Sequence, residues 1–183
     1  MANLKPNTVV TGMDTKLSYC YIYEKTSING GAEKYSCSVL IPKDDKVTLD
    51  AIKKAIDYVI KNNDKFSAKE RSTLNLPLHD GDQKGDESYA GYYYLNTKSD
   101  VKPTLFDQNA KVVTDTETFY SGCYARVILS FYAYSKGGNK GIGVGLGDMQ
   151  KVRDGKNLTG KVSGMSAFTS LGGSDEETED FLS

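Results

Sequence analysis

The chain contains no tryptophan and one histidine, His79. A single imidazole rules out a histidine-rich metal cluster or a histidine dyad within one chain, and in a polar loop it reads first as an ordinary solvated side chain. Cysteine is also scarce: Cys20, Cys37 and Cys123 stand apart, with no Cys-x-x-Cys pair and no secretory apolar segment before them. That usage fits a reducing, cytoplasmic compartment. No apolar run approaches membrane-spanning length, so no membrane partner is expected. The glycine-rich stretch GIGVGLG lacks the GxxxxGK[ST] spacing, fails GxGxxG, and precedes no helical pattern. GxSxG is missing as well. Asp80, Asp82, Asp86 and Glu87 crowd one loop, but their spacing does not match an EF-hand. A metal-dependent nuclease built on these acids is therefore a weak alternative. No cofactor is implied, and the enzyme classes are poorly supported.

Tyrosine and glycine are plentiful, at 13 and 18 residues. The most informative stretch runs from Tyr120 to Leu146. Read with the period of two that a strand imposes, Ala125, Val127, Leu129, Phe131 and Ala133 share an apolar face. Tyr124, Arg126, Ile128, Ser130, Tyr132 and Tyr134 share the other. After a Gly/Asn/Lys-rich turn, Ile142, Val144 and Leu146 line one face, and Gly141, Gly143, Gly145 and Gly147 the opposite one. Glycines inside a strand weaken it unless something approaches the backbone closely. The pattern predicts a long hairpin, apolar behind, aromatic and glycine-lined in front, with a basic tip.

Earlier segments repeat the theme. Leu17, Tyr19, Tyr21 and Tyr23 alternate onto one side, where the tyrosines join Leu17 in a buried face. Asn29-Gly30 is a hairpin signal, and Tyr35, Cys37, Val39 and Ile41 line the returning strand. Over 48–61, Leu49, Ile52, Ile56 and Val59/Ile60 recur at helical spacing, with Asp50 expected in the first turn. Ser67 and Glu70 form a capping-box pattern. A third aromatic strand is expected over 89–96. Five to six antiparallel strands with one inserted helix predict a mainly β protein: a Greek-key barrel such as an OB-fold, with a helix-backed open sheet as the alternative. The domain is placed at 1–160, followed by a disordered linker and acidic tail at 161–183.

Formal net charge is −1, but the last ten residues hold five acids and no base, leaving a mildly basic body. Single-stranded nucleic acid is bound by a cationic groove with aromatic side chains that stack on bases. The candidate contacts are Tyr92, Tyr94, Tyr124, Arg126, Tyr132 and Tyr134, with Lys136 and Lys140 at the hairpin tip and Lys151 and Arg153 beyond it. In the tail, Asp175, Glu176, Glu177, Glu179, Asp180 and Phe181 combine acids with an aromatic. Such a segment can compete with DNA for a basic groove or dock into a basic, apolar pocket of a partner.

Three blocks, INGGAEKYSCSVLIPKDD (28–45), LPLHDGDQKGDESYAGYYYLN (76–96) and YSGCYARVILSFYAYSKGGNKGIGVGLGDMQKVRDGKNL (120–158), resemble in that order the family of phage-encoded single-stranded-DNA-binding proteins long catalogued as a domain of unknown function. The resemblance implies an OB-fold core and single-stranded-DNA binding with little sequence preference during phage DNA replication, recombination or repair. It implies no catalysis, and it places the protein in the bacterial host cytoplasm. It supplies no residue-level signature for DNA contact. A protein-interaction hub acting through the tail toward replication or recombination proteins is the second reading, and a hairpin edge would permit a homodimer.

Overall fold

The computed structural model describes residues 3–160 and residues 168, 170 and 171. The six tail residues named above lie outside the described residues. Strands are β1 (Thr8–Val10), β2 (Lys16–Thr26), β3 (Lys34–Pro42), β4 (His79–Asp80), β5 (Tyr92–Ser99), β6 (Leu105–Phe106), β7 (Tyr124–Lys136) and β8 (Asn139–Arg153). One helix, α1 (Lys46–Lys61), lies between β3 and β4.

Five strands close on themselves in the order β2-β3-β5-β8-β7 and back to β2. Counted along the chain, these five follow the order 1-2-3-5-4, the closed Greek-key arrangement of an OB-fold. The mainly β, helix-inserted barrel read from the sequence is the fold found. Among these five strands one pairing is not antiparallel: β5 and β8 run parallel, meeting at Lys98 and Gly145. Parallel neighbours need a long crossover, so no hairpin signal marks this contact. Short β1, β4 and β6 add to β7, β5 and β8.

The β7–β8 hairpin sits where its pattern puts it. Ala125, Val127, Leu129 and Phe131 are buried, as are Ile142, Val144 and Leu146 across from them. Its tip is Gly137-Gly138, with φ of 58° and 83°, the paired left-handed conformation of a type I′ turn. In α1, the stripe Leu49, Ile52, Ile56, Val59 and Ile60 is buried against the barrel; each such side chain contributes about 1.5–3 kcal/mol. The helix starts two residues earlier than its periodicity suggests, which places Asp50 beyond the first turn. Asp45 caps the helix instead, its carboxylate accepting from the Thr48 N–H at 3.1 Å. The Ser67–Glu70 capping box is present and opens a 3-10 turn at Ala68–Thr73.

Two strand expectations are corrected. In β2 the alternation breaks: a register shift between Ser18 and Tyr21 turns Tyr19 and Tyr21 outward, while Leu17 and Ile22 take the core positions. Only Tyr23 of the three stays partly buried, donating its hydroxyl to the Phe119 carbonyl at 2.8 Å. The third aromatic strand is shifted to Tyr92–Ser99, because Tyr89 closes a 3-10 turn and is wholly buried.

Candidate nucleic-acid interface

Outward-facing positions on β5 are Tyr92, Tyr94, Asn96 and Lys98, since Leu95 and Thr97 between them are buried. Across the barrel closure, β8 presents its glycines. Tyr132 pairs with Gly143 and Tyr134 with Gly141, and each tyrosine ring extends over the glycine of the neighbouring strand. The run of glycines thus clears a floor for two rings. Of these, Asn96, Lys98, Tyr132, Tyr134 and Gly143 border a groove of about 890 Å³, walled on one side by Asn75–Pro77 and His79 and reaching Lys136 at the hairpin tip. Lys98 and Lys136 are exposed, and neither enters an ion pair among the described residues. The groove lies beside the faces and loops that OB-folds use for oligonucleotides: the middle strands of the barrel and the tip of the last hairpin.

Tyr94 continues the aromatic surface. Its ring meets Tyr89 edge-on at 5.0 Å and His79 at 5.2 Å, and the Lys84 ammonium stands 5.1 Å from its centroid. Desolvation, helped by the Lys84 charge, lowers the His79 pKa, so the ring is neutral near pH 7 and suited to stacking.

The other residues singled out from the sequence fall elsewhere. Tyr92 and Tyr124 form a separate cluster. The Arg153 guanidinium lies 3.9 Å above the Tyr124 ring and pairs with Asp14 at 2.9 Å, and the Lys16 ammonium stands 4.5 Å from the Tyr92 ring. Burial first, and then Tyr124, pushes the Tyr92 hydroxyl up to about 12. Arg126 is half-buried and donates from Nε to the Thr11 carbonyl at 3.1 Å, pinning the segment after β1. Lys140 is partly committed to Glu70, at 2.9 Å. Lys151 is a correction: it belongs to β8, is 5% exposed, and spends its ammonium on the Thr118 carbonyl and Asp154. A lysine buried in this way, with its ammonium bonded to a carbonyl and a carboxylate, is not placed to reach a phosphate.

The acidic loop is likewise spoken for. Asp80 and Asp82 both grip Lys43, at 2.7 and 2.6 Å, and Asp86 accepts from the N–H and hydroxyl of Ser88. Among the described residues no three His, Cys, Asp or Glu side chains converge as a metal site would need. No described helix is long and apolar enough to cross a membrane.

Sequence reasoning missed Asn96, Lys98, Lys84 and His79 as parts of this surface. Lys98 had a usable signal, because it continues the Tyr92, Tyr94, Asn96 alternation by one step. Lys84 had none, since a loop lysine acquires its place only from the fold.

Comparison with known proteins gives a consistent result. A curated relative, "Putative protein p50" of Acyrthosiphon pisum secondary endosymbiont phage 1, is 34% identical over 176 residues, covering 90% of this chain and 94% of that protein. The solved single-stranded DNA-binding protein from bacteriophage Enc34, in complex with ssDNA, superposes with a TM-score of 0.71 at 19% identity, covering 86% of this chain and 96% of its own. The single-stranded DNA-binding protein gp2.5 of bacteriophage T7 superposes with a TM-score of 0.55 at 13% identity, over 85% of this chain and 97% of its own. At those identities the two structures speak to the fold alone. The family described as "Enterobacter phage Enc34, ssDNA-binding protein" matches residues 7–182. With nearly its whole length matched, the chain belongs to the Enc34 phage single-stranded-DNA-binding protein family.

Proposed function

We propose that this protein binds single-stranded DNA with little sequence preference in the groove between β5 and the β7–β8 hairpin, sheltering it during phage DNA replication, recombination or repair in the host cytoplasm. The observation that carries the reading is the placement of Tyr132 and Tyr134 over glycines, in a groove shared with Lys98 and Lys136, cations without an ion pair among the described residues. Rings held this way stack on any base, because every base has a π-face, and the flanking ammoniums meet phosphates. The Enc34 protein, solved in complex with ssDNA, supports the same reading. The role is binding rather than catalysis. Residues 1–160 act as the binding domain and 161–183 as linker and tail. The tail acids compete with DNA for the groove and, with Phe181, recruit replication proteins. A hairpin edge would let two copies pair in a homodimer.

The test is fluorescence anisotropy of a labelled oligo(dT), with full-length protein and a 1–173 truncation, at two salt concentrations. Tight, salt-sensitive binding that strengthens on truncation is the expected result. Binding unchanged by truncation would leave the tail to partners alone. No binding by either protein would overturn the reading in favour of an interaction hub.

A further inference from the structure

Tyr19 has φ of 46°, in the left-handed region that a bulky side chain rarely occupies. Such a conformation persists only where its surroundings enforce it, and strained residues gather at functional surfaces. The enforcement is visible. Tyr19 sits in the β2 bulge between Ser18 and Tyr21, and the N–H of Cys20 donates to Ser121 Oγ at 3.0 Å, fixing the distorted backbone. The bulge lets Leu17 and Ile22, of opposite parity, both be fully buried on either side of it. It also aims two rings at solvent, with Tyr19 53% and Tyr21 42% exposed. Bulges commonly serve to re-aim a side chain next to a binding site.

The two rings line a second groove of about 570 Å³, whose far wall runs from Lys156 to Gly160. Lys84 stands near both grooves. Its ammonium is 6.0 Å from the Tyr19 ring and 5.1 Å from the Tyr94 ring, which in turn lies 5.2 Å from His79 in the wall of the first groove. Stacking surfaces therefore run from Tyr134 and Tyr132, past Tyr94, to Tyr19 and Tyr21. Asp86 and Glu87 on the near rim disfavour phosphates there, which leaves the rings for bases and Lys84 and Lys156 for the backbone.

We propose that the Tyr19–Tyr21 groove is a second base-stacking subsite for the same single-stranded nucleic acid, reached past Lys84. The proposal rests on the reading of the first groove given above.

Two measurements test it. Oligo(dT) of about four to about sixteen nucleotides, the range of OB-fold site sizes, is titrated against the wild type and Tyr19→Gly. The same oligonucleotides carrying one 5-iodo-deoxyuridine are photo-crosslinked to the unaltered protein and the crosslinked residues mapped. Glycine accepts positive φ, so the variant should melt no lower than wild type. It should bind short oligonucleotides normally and the longest ones roughly fivefold to a hundredfold more weakly, the value of one stacked base. Crosslinks from one end of the longer strands should fall on Tyr19 or Tyr21. Wild-type affinity of Tyr19→Gly at every length, with crosslinks confined to Tyr94, Tyr132 and Tyr134, would remove the second subsite and leave the first groove standing. No binding by the wild type would remove both.

Discussion

The ring of Tyr132 occupies the space that a side chain on Gly143 would need: a Cβ built there would run into Tyr132 Cζ. The two residues pair directly across the β7–β8 ladder, so the glycine fixes where the tyrosine lies. Gly143→Ala is therefore a substitution at one residue that acts on another. The ring is 41% exposed and can swing aside, so the stability cost should be small, about 1 kcal/mol. The stacking surface is lost with it, and affinity for oligo(dT) should fall by about 1–3 kcal/mol. Thermal melting and anisotropy on the same preparation separate the two effects.

Lys98→Ala and Lys136→Ala each delete a cation that no carboxylate among the described residues engages. On single strands each phosphate contact contributes about −0.7 to the slope of log affinity against log salt. Each variant should flatten that slope by about this amount, and the double variant by twice as much. A slope unchanged by either substitution would place the phosphates elsewhere.

Lys151→Ala and Arg126→Ala should behave in the opposite way. Their cationic groups bond to the Thr118 and Thr11 carbonyls, so removing them leaves acceptors unpaired, at a cost of about 1–3 kcal/mol each. Melting temperature should drop while affinity per folded molecule and its salt slope stay at wild-type values. A flattened slope for Lys151→Ala would contradict its structural role.

Part of the acid sensitivity should trace to Lys43. Its hydrogen bonds hold the Asp80 and Asp82 carboxyls below the ordinary carboxylate range. A depressed folded-state pKa gives stability that is present above the unfolded value and lost as pH falls through the folded one. Melting temperature should thus decline between roughly pH 5 and pH 2, and Lys43→Met should make that decline shallower. These groups are solvent-exposed, so high salt should have the same effect.

Much of the fold is legible from alternation and turn chemistry. The hairpin core, the Gly137-Gly138 tip and the stripe of α1 follow from periods of 2 and 3.6 that local sequence carries directly. Tyr132 and Tyr134 announce themselves as exposed rings through the glycines opposite them. The failures share a cause. Alternation assigns Tyr19 and Tyr21 inward because it assumes an unbroken strand, and a one-residue bulge reverses it. Lys151 and Arg126 look like any surface cation until the fold brings carbonyls from Thr118 and Thr11 to them. Tyr92 and Tyr124 share β5 and β7 with the groove residues but lie toward the other end of those strands, a distance that face assignment alone ignores.

The parallel contact between β5 and β8 has a mechanical consequence. Every other long ladder of the barrel except β2–β7 is zipped over many residues, whereas β5 and β8 meet at Lys98 and Gly145 alone. That is a seam, and the groove runs along it, with Asn96 and Lys98 on one lip and Gly143 and Val144 on the other. A strand of DNA seated in the proposed groove would touch both lips and act as a splint across one of the barrel's two single-pair joints. Occupancy and closure then become one event, and amides flanking the seam should gain the most protection from hydrogen exchange when DNA is bound.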